Sequence, residues 1–153
     1  MRQRFQHAGD LLVVARLWAI AATVRALKYA MPLPRLVALA AAPIAIRRSQ
    51  PRVNRLLRLA RSTPPGTRLP GNCLERSLGL FRLLIAAGAE PRLAIGMKAT
   101  RPGRMIDGHV WVVLDDVPVG ESADAVASFE RLTDFDAQGR SASSGVRGLY
   151  PAR

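Results

Sequence analysis

The chain has one cysteine, Cys73, and two histidines, His7 and His109. A thiolate attacks a carbonyl carbon when a neighbouring base takes its proton and a carboxylate orients that base. His7 lies in a polar N-terminal leader, so histidine chemistry falls on His109. The sequence places Cys73 at the start of a helix. There the unpaired N–H groups and the helix dipole favour an anion, and the thiolate is the nucleophilic form. His109 is read as opening a strand after a Gly-containing loop, with Glu121 on the next strand. Taken singly, Cys73 reads as a small buried hydrophobe and His109 as a packing or surface histidine. The combination and its order point to covalent catalysis. Trp111, two residues on and on the same strand face, is expected to hold the imidazole by packing. The Cys73 backbone N–H is the first oxyanion donor expected. The Asn72 side chain is a candidate second donor, and a helix cap is its other role. Asp107 is a weaker rival to Glu121. One cysteine excludes an internal disulfide, and with one plausible histidine it builds no usual zinc site, so neither metal nor cofactor is expected.

Helical spacing supplies the elements that must position these residues. Val13, Leu17, Ile20, Val24 and Leu27 form one apolar stripe, predicting a core-facing helix from an Asp10 N-cap to Ala30. Pro32 and Pro34 interrupt it, and a short or kinked segment follows over Leu36 to Ile46, around Pro43. A third helix is expected from Val53 to Ser62, with Leu56, Leu57 and Ala60 inward and Arg55, Arg58 and Arg61 outward. A Pro- and Gly-containing loop leads to Asn72, the predicted cap of a mostly apolar central helix from Cys73 to Ala87, stopped by Gly88. Strands are read over residues 91–97 and 109–114, with a return strand over 117–121. Pro118 assigns that return strand to an edge. A short helix is expected from Ala123 to Leu132, and residues 133–153 read as a loose tail.

Charge divides the chain. Residues 1–72 carry thirteen Arg and Lys against one acid, Asp10; residues 73–153 carry ten of each sign. Solvated arginine faces would explain this, as would an acidic partner or an anionic membrane surface. Nucleic acid is not expected: aromatics are 5% of the chain, and no zinc-finger, helix-turn-helix or RNA-binding signature is present. Arg16 interrupts the N-terminal apolar stretch before it reaches the ~20 residues of a membrane span. Peripheral membrane contact stays open. No phosphate-binding Gly loop marks a nucleotide enzyme.

The local wording is specific. Pro70-Gly71-Asn72-Cys73-Leu74-Glu75-Arg76-Ser77-Leu78 is followed by Leu93-Ala94-Ile95-Gly96, then Gly108-His109-Val110-Trp111-Val112 and Val119-Gly120-Glu121. This resembles the transglutaminase-like, papain-like cysteine peptidases of lasso-peptide biosynthesis, which remove the leader from a ribosomally made precursor peptide. The likeness is close over residues 69–121 and loose over the basic helical lead-in, residues 10–62. The family usually reads His-Ala-Trp-Val-Glu at the histidine and Asp-Gly at the turn, where this chain has His-Val-Trp-Val-Val and Asp115-Asp116. It usually has Asp where Glu121 stands. The resemblance implies a Cys73–His109–Glu121 triad and a thioester acyl-enzyme. It also implies a precursor peptide as substrate, a separate leader-recognition protein and a lasso cyclase as partners, the cyclase being the ATP user, and a cytoplasmic location with membrane association left open. An inactive relative, docking a partner or leader through its basic half, is the alternative, and hydrolysis and acyl transfer share the same acyl-enzyme.

The expected fold is α+β, one domain over residues 1–132, with N-terminal helices, then a Cys-bearing helix on a small antiparallel sheet. Strand register tests the acid. A two-residue loop at Asp115-Asp116 pairs Val110 with Glu121 and turns Glu121 away from His109. A three-residue bulged loop pairs His109 with Glu121 directly, so function predicts the bulge.

Overall fold

The computed structural model describes residues 8–41, 47–62, 72–99 and 106–142. Among the described residues four helices, α1 (Ala8–Leu27), α2 (Leu33–Ala40), α3 (Gln50–Ser62) and α4 (Cys73–Ala86), precede the first strand. Then come β1 (Arg92–Ala99), β2 (Ile106–Leu114), β3 (Val117–Val119), the short α5 (Ala123–Ala127), β4 (Glu130–Phe135) and β5 (Ser141–Ala142). The five strands form one antiparallel sheet in the order β3-β2-β1-β4-β5. The α+β expectation therefore stands, with the Cys-bearing helix central.

The main core lies between α4 and one face of the sheet. Leu78, Phe81 and Leu84 of α4 are fully buried against Val110, Val112 and Leu114 of β2. The α1 stripe packs here as the spacing requires: Leu17 and Val24 are buried, and Val13, Ile20 and Leu27 lean on the same cluster. The other sheet face carries a smaller cluster, Ala94, Trp111 and Val113, covered by Val126 and Phe129. Among the described residues no helix is long and apolar enough to cross a membrane.

Several boundaries differ from expectation for physical reasons. α1 starts before Asp10, which is buried inside its first turn with Arg55 Nε 3.6 Å from Oδ1. Arg55 is therefore folded back onto α1, not free on an outward face. α3 begins a turn earlier, because Pro51 is tolerated in a first helical turn. α2 ends at Ala40, and the expected continuation over 42–46 lies outside the described residues, as do the 63–71 loop and residues 143–153. α5 stops at Ala127, so Leu132 belongs to β4, not to a helix. Residues 133–142 are not a loose tail. They finish β4 and form β5, with Asp134 and Phe135 buried.

One buried ion pair fixes the start of α4. Glu75 is 1% exposed, and its Oε1 accepts a hydrogen bond from Lys28 Nζ at 2.8 Å, with Arg25 Nε 3.6 Å away. Burial alone would raise the Glu75 carboxyl, but the Lys28 hydrogen bond, the Lys28 and Arg25 charges and the Asn72 cap together hold it below the ordinary carboxylate range. The Lys28 ammonium is held above its usual value by the same hydrogen bond. A lowered carboxyl stabilises the fold above its unfolded-state pKa, and that contribution is lost as pH falls through the folded value. A raised amine stabilises below its unfolded-state value and loses its effect as pH rises through the folded one. Lys28→Met strands a buried carboxylate and should lower Tm by roughly 10 °C at neutral pH. Lys28→Met/Glu75→Leu should recover most of that loss, since a buried pair is commonly replaceable by well-packed apolar groups. Thermal melts read both, and a double variant no better than the single would show that Glu75 is required in its own right.

Candidate active site

Helix α4 carries Cys73, and strand β2 carries His109 and Trp111. Asn72 caps α4: its Oδ1 accepts from the Glu75 N–H at 3.1 Å, and its carbonyl accepts from the Arg76 N–H at 3.1 Å. The cap leaves the Cys73 and Leu74 N–H groups to other partners. Cys73, a half-buried free thiol, opens the helix and packs against the main core. Ser77 lies four residues on, on the same helix face, and is buried. Its hydroxyl donates to the Val110 carbonyl at 2.8 Å and so ties the Cys73 face of α4 to β2 one residue from His109. Nothing in the sequence pattern marks Ser77 beyond a small polar residue in an apolar helix.

His109 is the fourth residue of β2, not its first, and pairs with Gly96 of β1. Alternation along the strand sends Val110 into the core beneath α4 and leaves His109 and Trp111 on the other face. The imidazole stacks on Phe129, centroids 4.9 Å apart, and on Trp111 at 5.9 Å. The packing role of Trp111 is thus present, and Phe129, which the sequence did not single out, is the nearer ring. Gly96 makes room for both. A Cβ there would sit 2.9 Å from Trp111 Cη2, 3.0 Å from Phe129 Cβ and 2.9 Å from the Glu130 carbonyl. Gly96→Ala should therefore cost about 1–3 kcal/mol of stability by overpacking. It should also displace the His109 ring, visible as shifted imidazole proton resonances. An unshifted ring in a stable variant would show that this wall does not hold it.

Glu121 meets His109 through its Oε2, 2.7 Å from Nε2, with both side chains partly buried. The route differs from the one expected. The hairpin register is Val112↔Val119, Val113↔Pro118, Leu114↔Val117, which makes Asp115-Asp116 a two-residue loop and not a bulge. Both aspartates are left-handed, φ 50° and 63°, the requirement of a type I′ turn. Arg48 Nη2 holds Asp115 at 2.8 Å and Arg92 holds Asp116. The Arg48 guanidinium keeps Asp115 below the usual carboxylate range. Glu121 escapes the unfavourable parity because the ladder ends at Val119 and Gly120 follows with φ 80°. That left-handed residue redirects the chain, so strand alternation no longer governs Glu121. Gly120 also abuts α3, where a Cβ would lie 3.3 Å from the Ala60 carbonyl. Asp107, the rival acid, is exposed and pairs across the ladder with Lys98.

The structure thus joins His109, Glu121 and Trp111, whereas Cys73 lies on α4, which packs on the other face of the sheet. Among the described residues no hydrogen bond joins Cys73 to His109. A neutral imidazole that donates Nε2–H to this carboxylate leaves Nδ1 as its acceptor nitrogen. A cavity of about 280 Å³ lies behind the aromatic wall, lined by Trp111, Val113, Phe129, Arg92 and Arg131 among others; Cys73, His109 and Glu121 do not line it. Among the described residues no cluster of His, Cys, Asp and Glu is arranged to hold a metal ion.

Compared with known protein families, residues 12–134 match the one described as the transglutaminase-like superfamily, a group that includes cysteine peptidases. No curated protein and no solved structure matches the chain.

Proposed function

The chain belongs to the transglutaminase-like superfamily, and from that premise we propose that it is a cysteine peptidase that removes the leader from a ribosomally made precursor peptide in lasso-peptide maturation. The observation that carries the reading is the 2.7 Å contact of His109 Nε2 with Glu121. A carboxylate that accepts Nε2–H favours the tautomer in which Nδ1 serves as the base. In this mechanism Nδ1 takes the Cys73 proton and Sγ attacks the scissile carbonyl. The Cys73 N–H at the helix start meets the oxyanion. The imidazolium then protonates the leaving amine, and the leader's acyl group remains as a thioester. Water, deprotonated by Nδ1, releases the carboxylate and restores the thiol. Glu121 stabilises the imidazolium throughout. The partners in this reading are the precursor, a separate leader-recognition protein and an ATP-using lasso cyclase, all in the cytoplasm.

The test incubates the protein with a precursor peptide and its recognition protein and follows leader release by mass spectrometry. Release of free acid supports hydrolysis, and capture by an added amine would mark acyl transfer. A binding module without activity is the second reading, favoured by the lack of a Cys73–His109 hydrogen bond among the described residues. Iodoacetamide separates the two. Rapid alkylation of Cys73 near neutral pH supports the enzyme, whereas a thiol as slow as a buried model cysteine supports the module.

A further inference from the structure

Helix α1 carries apolar residues on two sides, yet only one of them is covered. Leu17, Ala21 and Val24 face the core. On the opposite side Leu11, Leu12 and Trp18 are 56%, 56% and 52% exposed, and Ala15, Ala19 and Ala22 are exposed with them. At 100° per residue these six lie within one half of the circumference. No charge falls inside that half. Arg16 stands at one border and Arg25 at the other, both exposed. Thr23, a polar residue on this face, turns its hydroxyl inward and donates to the Ala19 carbonyl at 3.0 Å. Tyr29, 86% exposed, stands just past the helix end beside Lys28, whose Nζ is 5.0 Å from the ring centroid.

We propose that this face of α1 lies on an anionic lipid surface, parallel to the membrane plane. Three features favour lipid over a protein partner. Apolar side chains are bordered by arginine on both sides, and arginine side chains extend their charge towards phosphate headgroups. Trp18 and Tyr29 are the two aromatic types that prefer the headgroup boundary. The sole acid of α1, Asp10, is buried, so nothing on the face repels an anionic surface, and the first 72 residues carry a surplus of twelve positive charges. An acidic groove in another protein would share the charge sign but would not call for a half-circumference free of charge. This surface is remote in role from Cys73 and stands independently of the peptidase reading.

The test is sedimentation of the full-length protein with phosphatidylcholine vesicles and with mixed phosphatidylcholine–phosphatidylglycerol vesicles. The protein should sediment with the anionic vesicles at least about tenfold more strongly than with the neutral ones, less so as salt rises. Trp111 is already buried, so a blue shift of tryptophan emission on binding reports Trp18. Ala19→Glu places a charge at the centre of the face on an exposed helical position and should abolish sedimentation without changing Tm or the alkylation of Cys73. Arg16→Gln should weaken the preference for anionic vesicles. The assignment is overturned if the wild type ignores anionic vesicles at low salt, or if Ala19→Glu binds them as well as the wild type. It is also overturned if the wild type is a dimer that Ala19→Glu dissociates while neither binds vesicles; the face would then be a protein interface.

Discussion

Replacing Cys73 with Ala should end leader release, with a loss of at least about 10³-fold, while the fold persists. The fold should persist because Cys73 is a half-buried edge of the core and Ala gives up a single sulfur atom there. His109→Ala is less clean. It empties the space beside Phe129 and Trp111, so His109→Gln, which keeps part of that volume, is the better partner variant. Both histidine variants should lose activity on the scale of Cys73→Ala. The double variant Cys73→Ala/His109→Gln should be no worse than either single one, since groups acting as one unit are not additive. Iodoacetamide adds a readout that bulk packing would not move: His109→Gln should slow Cys73 alkylation near neutral pH. Wild-type turnover by Cys73→Ala would end the peptidase reading. An unchanged alkylation rate in His109→Gln would separate the two residues and favour the binding module.

Helices and core were legible because their signal is periodic and summed over many residues. The α1 stripe and the Asn72-to-Gly88 frame of α4 emerged intact. The site was legible only in part, because what completes it is tertiary. The contact of Glu121 with His109 was expected, but through a different turn. Parity arguments hold within a ladder, and Gly120 takes Glu121 out of it. Phe129 follows a five-residue helix and gains meaning only when β4 pairs with β1 and brings it onto the imidazole. β4 itself reads as a helix end running into a tail because Glu-Arg-Leu-Thr-Asp-Phe alternates weakly, and its burial comes from neighbours distant in sequence. In the sequence Glu75 is only an acid in the first turn of a helix. Only the return of Lys28 beside it makes it a buried anchor.

Glu121 gives the sharpest test of the geometry. Glu121→Gln keeps the shape and a hydrogen-bond acceptor for Nε2–H but removes the charge that stabilises the imidazolium. Leader release should fall by roughly 10²–10⁴-fold, short of the loss at the nucleophile if the dyad retains some activity. Glu121→Asp restores the residue more usual in the resembling peptidases, yet withdraws the carboxylate by one methylene, about 1.5 Å. In this chain the Glu carboxylate already makes full contact at 2.7 Å. The backbone has little freedom to follow a shorter side chain, because Gly120 is left-handed and lies close to the Ala60 carbonyl. Glu121→Asp should therefore resemble Glu121→Gln in rate. It should differ in pH profile, since it keeps a charge near the ring. Near-wild-type activity in Glu121→Asp would mean that the segment after Val119 closes up when the side chain shortens. Equal activity in the wild type and both variants would remove Glu121 as the orienting group. The exposed Asp107 would then be next to test, and a Cys73–His109 pair without a third member would be the reading left standing.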